Sequence, residues 1–246
     1  MRITVLGGVG AYPERERGCS GYLLRHDGFA LLIDPGYATY QALLGHVAAG
    51  DVGAVLVTHG HPDHCADLHP LLRTRAMTGV PEPLPLHAPG GALDAVLALD
   101  RPVTLAGAYQ VLDLPMPGRL AIGPFTVDTV ALPHFLPNAG VRIAAGGASI
   151  AYTGDAGDKP AFAELAGGVD LLIAEATHAT ELPARMVGNL GTAIDAGELA
   201  TRAAAKALWL THLWPGSDPE THRTAAATAY DGPITVAVPG LERDVS

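Results

Sequence analysis

Cysteine is nearly absent: the 246 residues include only Cys19 and Cys65. Two thiols cannot build the disulfide framework of a small secreted domain. Long apolar runs are missing too. No stretch reaches the roughly 18 consecutive apolar residues of a membrane-spanning helix, so no membrane association is expected. The opening residues, Met1-Arg2-Ile3-Thr4-Val5-Leu6, read as a strand and lack the pattern of a signal peptide. The expected location is cytoplasmic. Basic charge is scarce, with 15 Lys and Arg against 25 Asp and Glu and a net charge of −10. The densest basic spots are Arg15-Glu16-Arg17 and Arg73-Thr74-Arg75. A protein that tracks a nucleic-acid backbone needs a basic surface. Long RNA or DNA is therefore disfavoured, and a small-molecule substrate is expected.

Hydrophobic residues make up 48% of the chain, enough for a sizeable core. Length alone permits one domain or two. With no low-complexity linker and no break in composition, the reading is a single domain over 1–246. Strands are expected at 2–6, 21–25, 30–34, 84–87, 103–106, 109–112, 119–122, 125–132, 140–145, 148–153, 170–175, 208–211 and 234–238. Helices are expected at 40–49, 66–77, 92–99, 159–166, 193–207 and 218–230. Gly146-Gly147 is a good hairpin turn. Gly7-Gly8-Val9-Gly10 is a weak phosphate-loop signal, because no helix pattern follows it. The elements fall into two similar halves, before and after Gly118.

The densest chemistry lies in Thr58-His59-Gly60-His61-Pro62-Asp63-His64. Four metal-type side chains occur directly after the buried-strand pattern Ala54-Val55-Leu56-Val57, at the strand end where α/β sheets place their sites. Imidazole with carboxylate suits zinc, and also manganese or iron. Cys65 follows His64; a thiol ligand is conceivable, but a small buried residue behind the loop fits better. His26, His46, His69, His87 and His222 lack ligand spacing and read as surface or loop residues.

The His-x-His-x-Asp-His pattern resembles the signature of the metallo-β-lactamase superfamily. The likeness extends along the chain to His134 after Ala131-Leu132-Pro133, Asp155 ending Ala151-Tyr152-Thr153-Gly154-Asp155, and His212 after Leu208-Trp209-Leu210-Thr211. It implies an αββα sandwich, an α/β (α+β) fold of two mixed β-sheets flanked by helices, with metals at one edge. It also implies two divalent ions, zinc by default with manganese or iron compatible. His59, His61 and His134 would hold one, Asp63, His64 and His212 the other, and Asp155 would bridge them. Such a pair can share a hydroxide and clamp an in-line displacement.

Ser20-Gly21-Tyr22-Leu23-Leu24, the segment Asp170 through Thr177, and Ala196-Gly197-Glu198-Leu199-Ala200 running on to His212 resemble the ribonuclease Z-like branch. That branch includes tRNA-processing enzymes and cyclic-nucleotide phosphodiesterases, and its members often form homodimers. The resemblance implies a phosphodiesterase acting on a small phosphodiester such as a cyclic nucleotide. Asp63 would orient the hydroxide as well as bind metal, and Glu175 would stand at the branch's Glu position. Two departures stand out. No insertion the size of a tRNA-gripping arm is evident, and Leu190 falls where the branch carries a histidine. Asn189 or His178 is the candidate substitute, and His178 also reads as a pocket residue. Leu136, Leu190 and Trp214 favour an alternative, a metal-dependent ester, lactone or thioester hydrolase. Trp214 and Pro215 could wall its pocket or simply pack. A non-catalytic metal-binding protein is a third reading, disfavoured by the intact ligand set.

Overall fold

The computed structural model describes residues 1–157 and 160–246. In the first half, strands β1 (Arg2–Val9), β2 (Gly18–Cys19), β3 (Gly21–His26) and β4 (Phe29–Ile33) lead to helix α1 (Tyr40–Leu44) and strand β5 (Ala54–Leu56). Helices α2 (Pro62–Cys65) and α3 (Leu68–Thr78), strand β6 (Leu84–Ala88), helix α4 (Asp94–Leu97) and strand β7 (Tyr109–Asp113) complete it. The second half holds β8 (Gly118–Ile122), β9 (Phe125–Leu132), β10 (Asn138–Ala145), β11 (Ala148–Tyr152), α5 (Pro160–Leu165) and β12 (Leu171–Glu175). Then come α6 (Ala193–Arg202), β13 (Leu208–Thr211), α7 (Pro219–Ala226), β14 (Ile234–Val236) and β15 (Glu242–Asp244).

Two mixed sheets result. One runs β15-β1-β3-β4-β5-β6-β7 with β2 beside β1, and the other runs β14-β13-β12-β11-β10-β9-β8. The sheets change at Gly118, where the sequence halves divide, and β15 alone returns to the first sheet. Ile3, Val5, Leu24, Leu31 and Leu56 of the first sheet share one core with Val127, Ile143, Ile150, Ile173 and Trp209 of the second. The outer face of the first sheet packs Leu23, Leu32 and Val55 on Leu43 of α1 and Leu68, Leu71 and Leu72 of α3. The second sheet covers Leu172, Leu208 and Leu210 with Phe162 of α5, Leu199 of α6 and Ala226 of α7. This is an αββα sandwich. Gly146 and Gly147 both have positive φ and close the β10–β11 hairpin, with Ala145 paired to Ala148. No helix among the described residues is long and apolar enough to cross a membrane.

Several boundaries differ from expectation. Residues 103–106 form turns instead of a strand: Pro102 precedes them, Gly107 follows at φ 76°, and Val103 is exposed. Local β-propensity without a neighbouring strand is insufficient. The alanine-rich helix stops at Arg202, and Ala204 takes a left-handed conformation on the way into β13. Lys159, expected to begin a helix, lies outside the described residues. His87 and His222 are buried, one inside a sheet and one on the inner face of α7.

Arg75 of α3 is also buried, at 3% exposure. Its guanidinium donates to the carbonyls of Ala49, Gly50, Val52 and Glu82, tying the loop before β5 to the loop before β6. Replacing it with methionine strands those acceptors, so Arg75→Met is expected to cost about 3 kcal/mol in denaturant unfolding.

Candidate metal centre

Strands from both sheets deliver the polar side chains to one edge of the sandwich. His59 follows β5, His134 follows β9, Asp155 follows β11 and His212 follows β13. The chain turns after β5 so that His61 caps α2, with Pro62 at its first position, while Asp63 and His64 lie within it. Proline there costs no hydrogen bond, because that N–H has no helical acceptor.

These residues gather into two donor groups: His59, His61, His134 and Asp155, and Asp63, His64, His212 and Asp155. Within each group the donor atoms lie within 4.8 Å of one another. His61 Nδ1 stands 3.1 Å from His59 Nε2 and 3.0 Å from His134 Nε2. Nitrogens about 2.0–2.1 Å from a shared tetrahedral ion come this close. Asp155 serves both groups. Its Oδ1 lies 3.3 Å from His64 Nε2, and its Oδ2 lies 3.1 Å from His212 Nε2 and 3.8 Å from His59 Nε2. His64 Nε2 and Asp155 Oδ1 are buried and have no hydrogen-bond partner, which suits coordination. The residues therefore fit two divalent cations.

The opposite ring nitrogens are held from behind. His59 Nδ1 meets Thr58 Oγ1 at 3.2 Å, His134 Nδ1 donates to Asn189 O at 2.8 Å, and His212 Nδ1 donates to Thr177 Oγ1 at 3.0 Å. His64 Nδ1 donates to Asp34 Oδ2 at 2.7 Å. Such partners fix the tautomer and leave the remaining nitrogen for the ion. Asp34 is fully buried and also accepts from Tyr152 OH, Thr58 Oγ1 and Thr58 N. Sequence reasoning missed its role. The available signal was Asp34-Pro35-Gly36, a carboxylate at the end of an apolar strand. Both Asp34 (φ 47°) and His212 (φ 56°) adopt left-handed backbone, a strain that non-glycine residues sustain only where packing enforces it. An Asp34→Asn amide sets a donor against this ring of donors. It is expected to weaken one ion's binding about 10–100-fold while sparing the other, as read by chelator competition.

Burial disfavours charge on His64, but Asp155, Asp34 and Asp63 outweigh it and hold the pKa well above the ordinary histidine value. His212 is raised against the same burial by Asp155 and Asp63. Burial would raise the carboxyls. Instead His212 and His64 hold Asp155 far below its usual range, and the same two rings depress Asp63. Burial lowers His59, His61 and His134. One group is thus three neutral imidazoles, and the other is a place built for positive charge. The buried Cys65 thiol is pushed up to about 12 by burial and donates to His61 O, outside either donor group.

A cavity of about 300 Å³ opens over the donors, lined by Ala11, His61, Asp63, His134, Phe135, Asp155, Met186, Leu190, His212 and Trp214. Leu190 and Trp214 thus reach it, while Leu136 lines the neighbouring cleft beside Gly60. His178 does not line the cavity; its ring stacks on Trp214 at 5.6 Å and 20°. Glu175 is fully buried and accepts from Ala156 N, Gly191 N, Thr177 N and Thr177 Oγ1. It reaches His212 through Thr177. Asn189 meets the site through its backbone carbonyl.

Comparison with known proteins agrees with this geometry. Residues 30–213 match the family described as "Beta-lactamase superfamily domain". The Bacillus subtilis protein named "Probable metallo-hydrolase YhfI" is 30% identical over 245 residues, covering 98% of each chain. Its crystal structure, of a metallo-beta-lactamase fold protein, aligns with a TM-score of 0.90 at 27% identity over 98% of both chains. A ribonuclease Z of Mycobacterium bovis is 30% identical over 267 residues, covering 96% of this chain and 95% of its own. The short form of human tRNase Z aligns over the whole of both chains with a TM-score of 0.77 at 25% identity. With these likenesses over nearly its full length, the chain belongs to the beta-lactamase superfamily, as a metallo-hydrolase of the metallo-β-lactamase fold.

Proposed function

We propose that the chain is a dinuclear phosphodiesterase acting on a small phosphodiester, with a cyclic nucleotide as the leading substrate type. The observation that carries this reading is the pair of donor groups sharing Asp155 on the floor of one cavity. Two bound divalent ions supply Lewis acidity and lower the pKa of water towards neutrality, which suits hydrolysis at an anionic phosphorus centre. Asp155 belongs to both groups, its Oδ1 towards His64 and its Oδ2 between His212 and His59, and keeps them in register. Asp63 lines the cavity, with its Oδ2 held by Ala11 N at 2.7 Å, and orients the attacking water. Thr177 passes the anchoring of Glu175 to His212, so Glu175 acts by positioning a ligand. RNA is itself a phosphodiester, and the relatives named ribonuclease Z lend support to this bond type. The acidic balance of −10 favours a small substrate over RNA.

A second reading, hydrolysis of a carboxylic ester, lactone or thioester, is favoured by one observation. Leu190, with Met186 and Phe135, makes the cavity wall apolar. The test is a substrate panel on metal-loaded protein: bis(p-nitrophenyl) phosphate, p-nitrophenyl acetate and a simple lactone. Turnover of the phosphodiester that chelation abolishes and metal restores is the expected result. Turnover of the ester or lactone alone would transfer the assignment to carbonyl chemistry.

A further inference from the structure

We infer that Tyr12, Phe135 and Trp214 form a specificity subsite for a flat apolar group attached to the scissile centre, an aryl ring or a nucleobase. This rests on the hydrolase reading of the adjoining donors. Phe135 and Trp214 line the same cavity as His61, Asp63, His134, Asp155 and His212, so a group on this wall is continuous with one at the donors. Tyr12 lies beside this wall, its ring edge-on to Trp214 at 6.3 Å and 81°. Phe135 is 52% exposed and Tyr12 is 54% exposed. Single exposed aromatics are ordinary, but Phe135 shares one cavity with Trp214, and Tyr12 packs on Trp214.

The wall is fixed by the residues that fix the donors. Trp214 N donates to Thr177 O, and His178 stacks on the indole face. The turn after Trp214 is tied to the loop after Tyr12, where Gly216 N donates to Glu14 Oε1 at 2.6 Å. Phe135 packs its ring edge-to-face on His134 at 5.2 Å and 68°. Aromatic surface held this way binds a flat group without paying to order itself. Among the described residues, the cavity lining includes no lysine or arginine. Among the described lining residues, selectivity therefore falls on the apolar group.

The test is calorimetric titration of metal-loaded protein with diphenylphosphinate and dimethylphosphinate. Both are tetrahedral monoanions without a hydrolysable P–O–C bond, and they differ only in their flat apolar groups. Diphenylphosphinate is expected to bind at least about tenfold tighter. Phe135→Ala and Trp214→Ala should each shrink that ratio several-fold, with metal content and dimethylphosphinate affinity unchanged. Phe135 lies half-exposed on a loop, so its variant serves if the Trp214 variant fails to fold. Equal affinities in wild type, or a preference unmoved in the Phe135 variant, would overturn the subsite. Binding needs no turnover. A preference in a protein that hydrolyses nothing would sustain the subsite and overturn the hydrolase reading, whereas equal affinities in an active enzyme would remove the subsite alone.

Discussion

Asp155→Ala is expected to leave fewer than two ions per chain and to reduce turnover at least ~10²–10³-fold, the loss typical of removing one transition-state donor. Asp155 is the one residue common to both donor groups. Its oxygens face His64 on one side and His212, His59 and His134 on the other. Without it, the first group is three neutral nitrogens, and the second keeps a single carboxylate, Asp63. Neighbouring cations repel strongly in a buried site, and the shared anion is what offsets that repulsion. Asp155→Asn keeps the shape and removes the charge, so it separates electrostatics from packing. It too should lose metal, with circular dichroism unchanged. Elemental analysis after equilibrium dialysis gives the metal content directly.

Gly10→Ala should take the protein from two ions to one. A methyl group at Gly10 would lie 2.6 Å from His212 Cε1, 2.8 Å from Nδ1 and 2.9 Å from Nε2. Neither side can yield easily. The turn is pinned by Gly10 N to Leu213 O at 3.0 Å and by Ala11 N to Asp63 Oδ2 at 2.7 Å. The His212 ring is held by Thr177 behind and by Asp63 and Asp155 in front. The collision falls on the group of Asp63, His64 and His212 and leaves His59, His61 and His134 untouched. Affinity for one ion should fall about 100-fold, the upper range for disturbing a ligand's support, and turnover should fall with it. Gly10, directly after β1, thus acts as a close-packed seat for a ligand imidazole, and the expected Gly7-Gly8-Val9 turn is the end of that strand. Two ions retained at wild-type affinity would show that the turn moves aside.

This turn illustrates what sequence could and could not convey. Gly10 was visible, but the ring it accommodates is some 200 positions away, and only the folded β1–β13 junction brings it near. The His59-to-His64 cluster was legible because its spacing is local; His134, Asp155 and His212 were reached through the family resemblance, and each follows an apolar strand. The two sheets were implied by the family resemblance, and they divide at Gly118, where the two halves of the strand pattern meet. Asp34, Tyr12 and Phe135 were not legible. Their roles depend on which loops meet at the edge, and no local period encodes that. β15 escaped for a related reason. Glu242-Arg243-Asp244 has no apolar alternation, and Arg2 and Arg25 hold it through ion pairs with Asp244 and Glu242. His222 looked exposed because α7 is short and polar, yet it lies on the face turned towards the sheet.

The most direct measurement is metal stoichiometry followed together with hydrolysis, as apoprotein is titrated with zinc and, separately, manganese. The account predicts two ions per chain, bis(p-nitrophenyl) phosphate turnover that rises as the second ion fills, and loss of both in Asp155→Ala. Full turnover with one ion bound, or with Asp155 replaced, would contradict a shared dinuclear centre.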